Sequence, residues 1–219
     1  MGTHGGWIDD PAGHSCIGPA DMVRAIFRDS LSTSRRCVVW SKGQGAAWCS
    51  SPEGVAEAAA QLDAQGDVYF GACLQAAEAE RSRSRGATDT TTAMGGVWVD
   101  LDITGPGHAG VRYPPSVEDA LELLERRIEQ RPSIVLVTGG GLHLWWLLDE
   151  PLLVASEADR RSASALVERW QAWVRMVLAE KRWVLDTTHD LARVMRLPRT
   201  SNHKYTPSIP ARVATWEVA

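Results

Sequence analysis

No apolar run in this 219-residue chain approaches the length of about 20 residues needed to cross a bilayer. The opening Met1-Gly2-Thr3-His4-Gly5-Gly6 has no hydrophobic signal region, nor the serine or threonine that myristoylation expects. A cytoplasmic protein without a membrane partner is expected. Cysteine is sparse: Cys16, Cys37, Cys49 and Cys73 are irregularly spaced, with no C-x-x-C and no histidine pair at zinc-finger spacing. That pattern predicts reduced, buried thiols and no structural zinc. Basic charge is not in excess either. A net charge of -4 means that any nucleic-acid contact must come from a local patch. There is no internal repeat and no long low-complexity linker, so one domain is expected. What remains, 44% hydrophobic and 23% charged residues, suffices for one substantial core.

One stretch stands out. In Gly96-Val97-Trp98-Val99-Asp100-Leu101-Asp102-Ile103 two carboxylates sit two residues apart in an apolar, β-branched run. Side chains alternate on a strand, so Asp100 and Asp102 share a face, about 6.6 Å apart at roughly 3.3 Å per residue. Ionised carboxylates flanked by Val97, Val99, Leu101 and Ile103 need pairing, water or cations. The spacing suits a divalent metal, and a sheet edge with both acids in water accounts for it as well.

Elsewhere the hydrophobic pattern predicts a helix near 21–27, where Val23, Ile26 and Phe27 share a face. Residues 37–40 and 46–49 read as a hairpin around Lys42-Gly43-Gln44-Gly45. Ser51-Pro52-Glu53 opens an alanine-rich helix running to Gly66, and 67–73 return as a strand. Residues 76–92, polar and threonine-rich, read as a long functional or mobile loop, and Gly105-Pro106-Gly107-His108 as another loop. Ser116 caps a helix with Val117, Leu121, Leu124 and Ile128 on one side. Strands follow at 133–137 and 142–147, the second closed by Pro151. The longest helix runs from Ser156 to about Lys181, with Leu166, Trp170, Val174, Val177 and Leu178 inward and Arg160, Arg161, Arg169 and Arg175 mostly solvated.

Two further stretches carry chemistry. Thr138-Gly139-Gly140-Gly141 leads into a strand on which His143 shares a face with Trp145 and Leu147. Three glycines leave amides free to cradle an anion, although no Lys-Ser/Thr follows as in a Walker loop. A structural histidine fits the same pattern. Further on, Asp186 ends an apolar run, as a third metal carboxylate would. Asp190 then caps a predicted short helix carrying Arg193 and Arg196 on one face. Arginines and Lys204 beside a metal cluster suit a triphosphate. Alternatively, those arginines only pair with Asp186 and Asp190.

Together, D-x-D, T-G-G-G-L-H and the ordered D-L-A-R-V-M-R-L-P-R-T-S-N-H-K, with the earlier V-Y-F-G, resemble the archaeo-eukaryotic primase superfamily over roughly residues 36–213. Within it, the set is similar to the primase-polymerases of plasmids, phages and integrated elements. The resemblance implies an α+β fold: an RRM-like catalytic core (96–219) packed with an N-terminal αβ unit (about 18–95), together one primase-polymerase catalytic domain. It implies template-dependent nucleotidyl transfer on single-stranded DNA from NTPs or dNTPs, with two Mg²⁺ or Mn²⁺ ions held by Asp100, Asp102 and Asp186. Thr138, Gly139, Gly140, Gly141, His143, Arg193, Arg196, Asn202 and Lys204 would contact the nucleotide, with Tyr69 nearby. A helicase, as a further domain or a separate protein, is the implied partner. One departure is Arg199, which stands where many relatives have glycine in R-L-P-G-T; an arginine strains a turn that needs positive φ.

Three other functions compete. A rolling-circle nuclease needs a His-hydrophobe-His pair, and Leu142-His143-Leu144 supplies one histidine. A metal-dependent nuclease could use the same aspartates. A replication-initiation module could bind single-stranded DNA through some of the ten tryptophans without turnover.

Overall fold

A computed structural model describes residues 16–105 and 112–218. The predicted loop at 105–108 and the first six residues therefore lie almost wholly outside the described residues. The chain begins with α1 (Pro19–Phe27), β1 (Arg35–Ser41), β2 (Gly45–Cys49), α2 (Pro52–Asp63), β3 (Val68–Gly71) and β4 (Leu74–Ala76). Then come β5 (Thr91–Asp102), α3 (Val117–Arg127), β6 (Ile134–Val137), β7 (Gly141–Leu153) and α4 (Glu157–Ala179). Short strands β8 (Val194–Met195), β9 (Ser201–Asn202) and β10 (Ile209–Pro210) precede β11 (Arg212–Trp216). No described helix is long and apolar enough to cross a membrane.

Helix starts follow their caps. The Ser51 hydroxyl accepts from the Gly54 amide at 3.1 Å and Ser116 from Asp119 at 3.0 Å, each satisfying an amide the helix leaves open. Cys37, Cys49 and Cys73 are buried free thiols, as expected, whereas Cys16 is exposed, because it lies before α1 and outside the core.

One sheet runs in the order β11-β6-β7-β5-β4-β1-β3-β8, with β2 paired to β1. From β5 to α4 the succession βαββα is that of the expected α+β core. The place beside β5, opposite β7, is taken by β4 from the N-terminal segment. The division between residues 95 and 96 thus falls inside β5. On one face of the β5–β7 pair, Trp146 packs edge-on against Trp170 of α4 at 5.1 Å between ring centroids. On the other, Trp98, Trp145 and Phe70 of β3 form a buried aromatic layer, with centroids 5.7 and 5.8 Å apart.

Several local expectations are corrected. Strand β7 continues through Pro151 to Leu153, because the pairing with β5 shifts between Met94 and Gly96 and an irregular register tolerates a residue without an N–H. The 76–92 segment is pinned rather than loose: Ser82 O accepts from Ala46 N at 2.7 Å, Arg81 O accepts from Trp48 Nε1 at 2.9 Å, and the last two residues already belong to β5. No helix forms after Asp190. The chain is drawn out there because Val194 and Met195 pair with Gly71 and Phe70, and this edge pairing overrides the helical spacing. On α4 the buried stripe runs through Ala163, Val167, Gln171, Val174, Val177 and Leu178, so Leu166 and Trp170 flank it at half burial.

Candidate active site

The register of β5 against β7 builds the site. Trp98 lies opposite Trp145, Asp100 opposite His143 and Asp102 opposite Gly141. Asp100 and Asp102 share a half-buried face while Leu101 between them is buried, as alternation requires. Gly141 must be glycine: a Cβ there would stand 2.2 Å from the Leu101 carbonyl oxygen. At Gly139, φ is +83, a conformation side chains resist. The turn is closed by Thr138 N donating to Gly141 O at 2.9 Å and Ile103 N donating to Gly140 O at 3.0 Å.

Asp100 sits between two nitrogen groups. His143 Nε2 lies 3.3 Å from its Oδ1, and Arg193 Nη2 donates to its Oδ2 at 2.5 Å. Burial opposes the negative charge, but His143 first and Arg193 second outweigh it and hold the carboxyl well below the usual carboxylate range. His143 Nδ1 accepts the backbone N–H of Arg196 at 3.1 Å, which leaves the ring proton on Nε2, facing Asp100.

Arg196 is buried and fully engaged. Its Nη2 donates to Asp67 Oδ1 at 2.8 Å, Asn202 Oδ1 at 2.9 Å and the Tyr69 hydroxyl at 3.2 Å, and its Nη1 to Ser201 O at 3.1 Å. The guanidinium carbon lies 4.8 Å over the Tyr69 ring, a cation–π arrangement. Asp67 is shifted down: burial raises it, while the Arg196 bond, the His203 amide and nearby positive charge prevail. Asn202 passes the network on to the glycine turn, its Nδ2 donating to Thr138 O at 2.9 Å. Lys204 is exposed, and its amide donates to Asn202 Oδ1 at 3.2 Å.

Asp186 is reached through a residue the sequence pattern did not single out. The Tyr113 hydroxyl donates to Asp186 Oδ1 at 3.1 Å, and burial, then Asp186, Asp102 and Asp100, push the phenol up to about 12. All three aspartates thus act on one buried phenol. Among the described residues no three His, Cys, Asp or Glu side chains form a metal cage by themselves. A hard ion that takes only one or two carboxylates and completes its shell with water and phosphate oxygens fits this donor set better than zinc does.

Asp67 and Tyr113 were the residues sequence reasoning missed, along with Gln171. Gln171 Nε2 donates to Trp98 O and Thr188 Oγ1, both at 3.0 Å, tying the segment after Asp186 to the back of β5. Asp67 stands just before β3, two residues from Tyr69, and its pairing with an arginine 129 residues away leaves no local signal. Arg199 adopts φ 62, so the turn keeps the left-handed conformation despite its side chain.

No family model matches this chain, and no curated protein matches it. Among solved structures, the AEP domain of the primase-polymerase of Cyanophage S-2L is similar, with 17% sequence identity and a TM-score of 0.56 over 92% of this chain and 91% of that one. The chain therefore has the fold of an archaeo-eukaryotic primase-polymerase domain.

Proposed function

We propose that this chain catalyses template-dependent nucleotidyl transfer, synthesising or extending primers on single-stranded DNA from NTPs or dNTPs. The observation that carries this reading is the set Asp100, Asp102 and His143, facing one another across β5 and β7 beside the glycine turn, on a primase-polymerase fold. Asp100, Asp102 and Asp186 would hold two Mg²⁺ or Mn²⁺ ions, which when bound activate the primer 3′-oxygen and neutralise charge on the leaving pyrophosphate.

The remaining work falls to the chain's own groups. His143, whose one N–H on Nε2 faces Asp100, would turn it to a phosphate oxygen once a cation takes that carboxylate, and the Gly139 to Gly141 backbone lets the triphosphate approach closely. Arg193 and Lys204 add positive charge, while Arg196 fixes His143, Asn202 and Tyr69 in place. Such positioning and preorganised charge account for much of the catalysis in transfers of this kind. A helicase, in the same or another chain, would supply the single-stranded template.

The test is incorporation of NTPs and dNTPs on primed and unprimed single-stranded DNA with Mg²⁺ or Mn²⁺. Activity lost in Asp100→Ala and Asp102→Ala supports the reading, and full activity in both variants overturns it. Strand cleavage in place of pyrophosphate release would instead identify a nuclease.

A further inference from the structure

The two arginines of the site are held very differently. Arg196 is 4% exposed and spends its guanidinium on four partners. The Arg193 side chain is 27% exposed, bonds through one nitrogen to Asp100, and leaves its buried Nε without a partner. Its backbone is nonetheless fixed, with N donating to Asp190 O at 2.9 Å and O accepting from Ala72 N at 2.8 Å. A rigid root with a singly anchored head describes a side chain able to exchange partners.

What it would exchange follows from Asp100. Oδ1 faces His143 Nε2 and Oδ2 faces Arg193, so a divalent cation approaching Oδ2 meets a guanidinium already there. Like charges repel, and most strongly where burial lowers the dielectric. A triphosphate changes the balance, because its oxygens take a guanidinium in a bidentate grip that one carboxylate oxygen does not provide.

We infer that Arg193 is an exchangeable counter-ion that couples cation binding to nucleotide binding: it holds Asp100 against a cation arriving alone and moves to the triphosphate when cation and nucleotide arrive together. This rests on the nucleotidyl-transfer reading and adds a rule of assembly to it. The coupling must be reciprocal, each ligand tightening the other by one factor.

The test measures Mn²⁺ binding to the whole chain by electron paramagnetic resonance, with and without a non-hydrolysable deoxynucleoside triphosphate. In the unmodified protein Mn²⁺ alone binds weakly and the analogue tightens it about tenfold, within the usual range of coupling. In Arg193→Gln, Mn²⁺ alone binds several-fold more tightly and the analogue adds little. Arg193→Lys, which keeps the charge, retains the weak binding of Mn²⁺ alone, and circular dichroism verifies the fold of both variants. Equal Mn²⁺ affinity and equal coupling in Arg193→Gln and the unmodified protein would overturn the inference while leaving the parent reading intact. Mn²⁺ binding that survives Asp100→Asn unchanged, with the analogue present, overturns both.

Discussion

The backbone amide of Arg196 donates to Nδ1 of His143 at 3.1 Å, so the residue that follows a two-residue edge strand decides which nitrogen of the imidazole carries the proton. With Nδ1 committed as an acceptor, Nε2 is the donor, and it faces Asp100 at 3.3 Å. Side chain and main chain of Arg196 thus serve different purposes: the guanidinium holds Asp67 and Asn202, and the amide orients the histidine.

His143→Ala should weaken triphosphate binding roughly ten- to a hundredfold, since a hydrogen bond to a charged group is worth about 1.5–3 kcal/mol. It should also lower stability by about 1–3 kcal/mol, because the buried Arg196 amide loses its acceptor. Nucleotide titration and urea unfolding measure the two separately; unchanged nucleotide affinity would remove His143 from the binding site.

Asp67→Asn should cost about 1.5–3 kcal/mol, the worth of a hydrogen bond to a charged group, because buried Arg196 loses its half-buried carboxylate partner. The Asp67 pKa is depressed in the folded chain, so its contribution is present above the unfolded carboxylate range and is lost as pH falls through the lower folded value. Acid unfolding of the variant should accordingly show a shallower dependence on pH below about 4.

For Tyr113 the sign reverses. The phenol is raised to about 12, so its contribution is complete below the unfolded value near 10 and declines as pH rises from there through 12. Tyr113→Phe should flatten that alkaline decline. It should also reduce incorporation several-fold by releasing Asp186, to be read in assays near neutral pH, where the phenol stays protonated.

Arg199→Gly should stabilise the fold by about 1 kcal/mol, because the left-handed conformation at φ 62 costs an L-residue with a Cβ roughly that much. The side chain is exposed, so little packing is lost. Thermal unfolding checks the direction, and a lower midpoint would show that the arginine has a stabilising role.

Gly141→Ala should destabilise by about 3 kcal/mol or fail to fold, since its Cβ would collide with the Leu101 carbonyl at the point where β5 meets β7. Gly43→Ala, where nothing lies within 4 Å of the added carbon, isolates the cost of positive φ alone.

The central strand was legible because its signals are local: alternation put Asp100 and Asp102 on one face, and the glycines before His143 marked a turn. Helix caps at Ser51 and Ser116 were legible for the same reason. The sequence marks Arg193 and Arg196 as site residues but suggests a helix for them, because spacing of three satisfies a helix as well as a bent extended segment and only the pairing of Val194 and Met195 with β3 distinguishes the two. Tyr113 and Asp67 were invisible because their partners lie 73 and 129 residues away. The short edge strands β8 and β9 carry too few residues to show any period.

Those separations also set the order in which the molecule can be made. β8 lies along β3, and the contacts that close the site join Asp67 to Arg196 and Asp100 to Arg193, residues 129 and 93 apart. A growing chain can pair β5 with β7 while α4 is still being synthesised, but the acidic face is neutralised only after about residue 196 has emerged. Contacts of such high sequence separation come late and slow folding. Nascent chains truncated before β8 should therefore carry a formed central sheet and an unfinished acidic surface, a birth sequence in which competence to bind nucleotide arrives last.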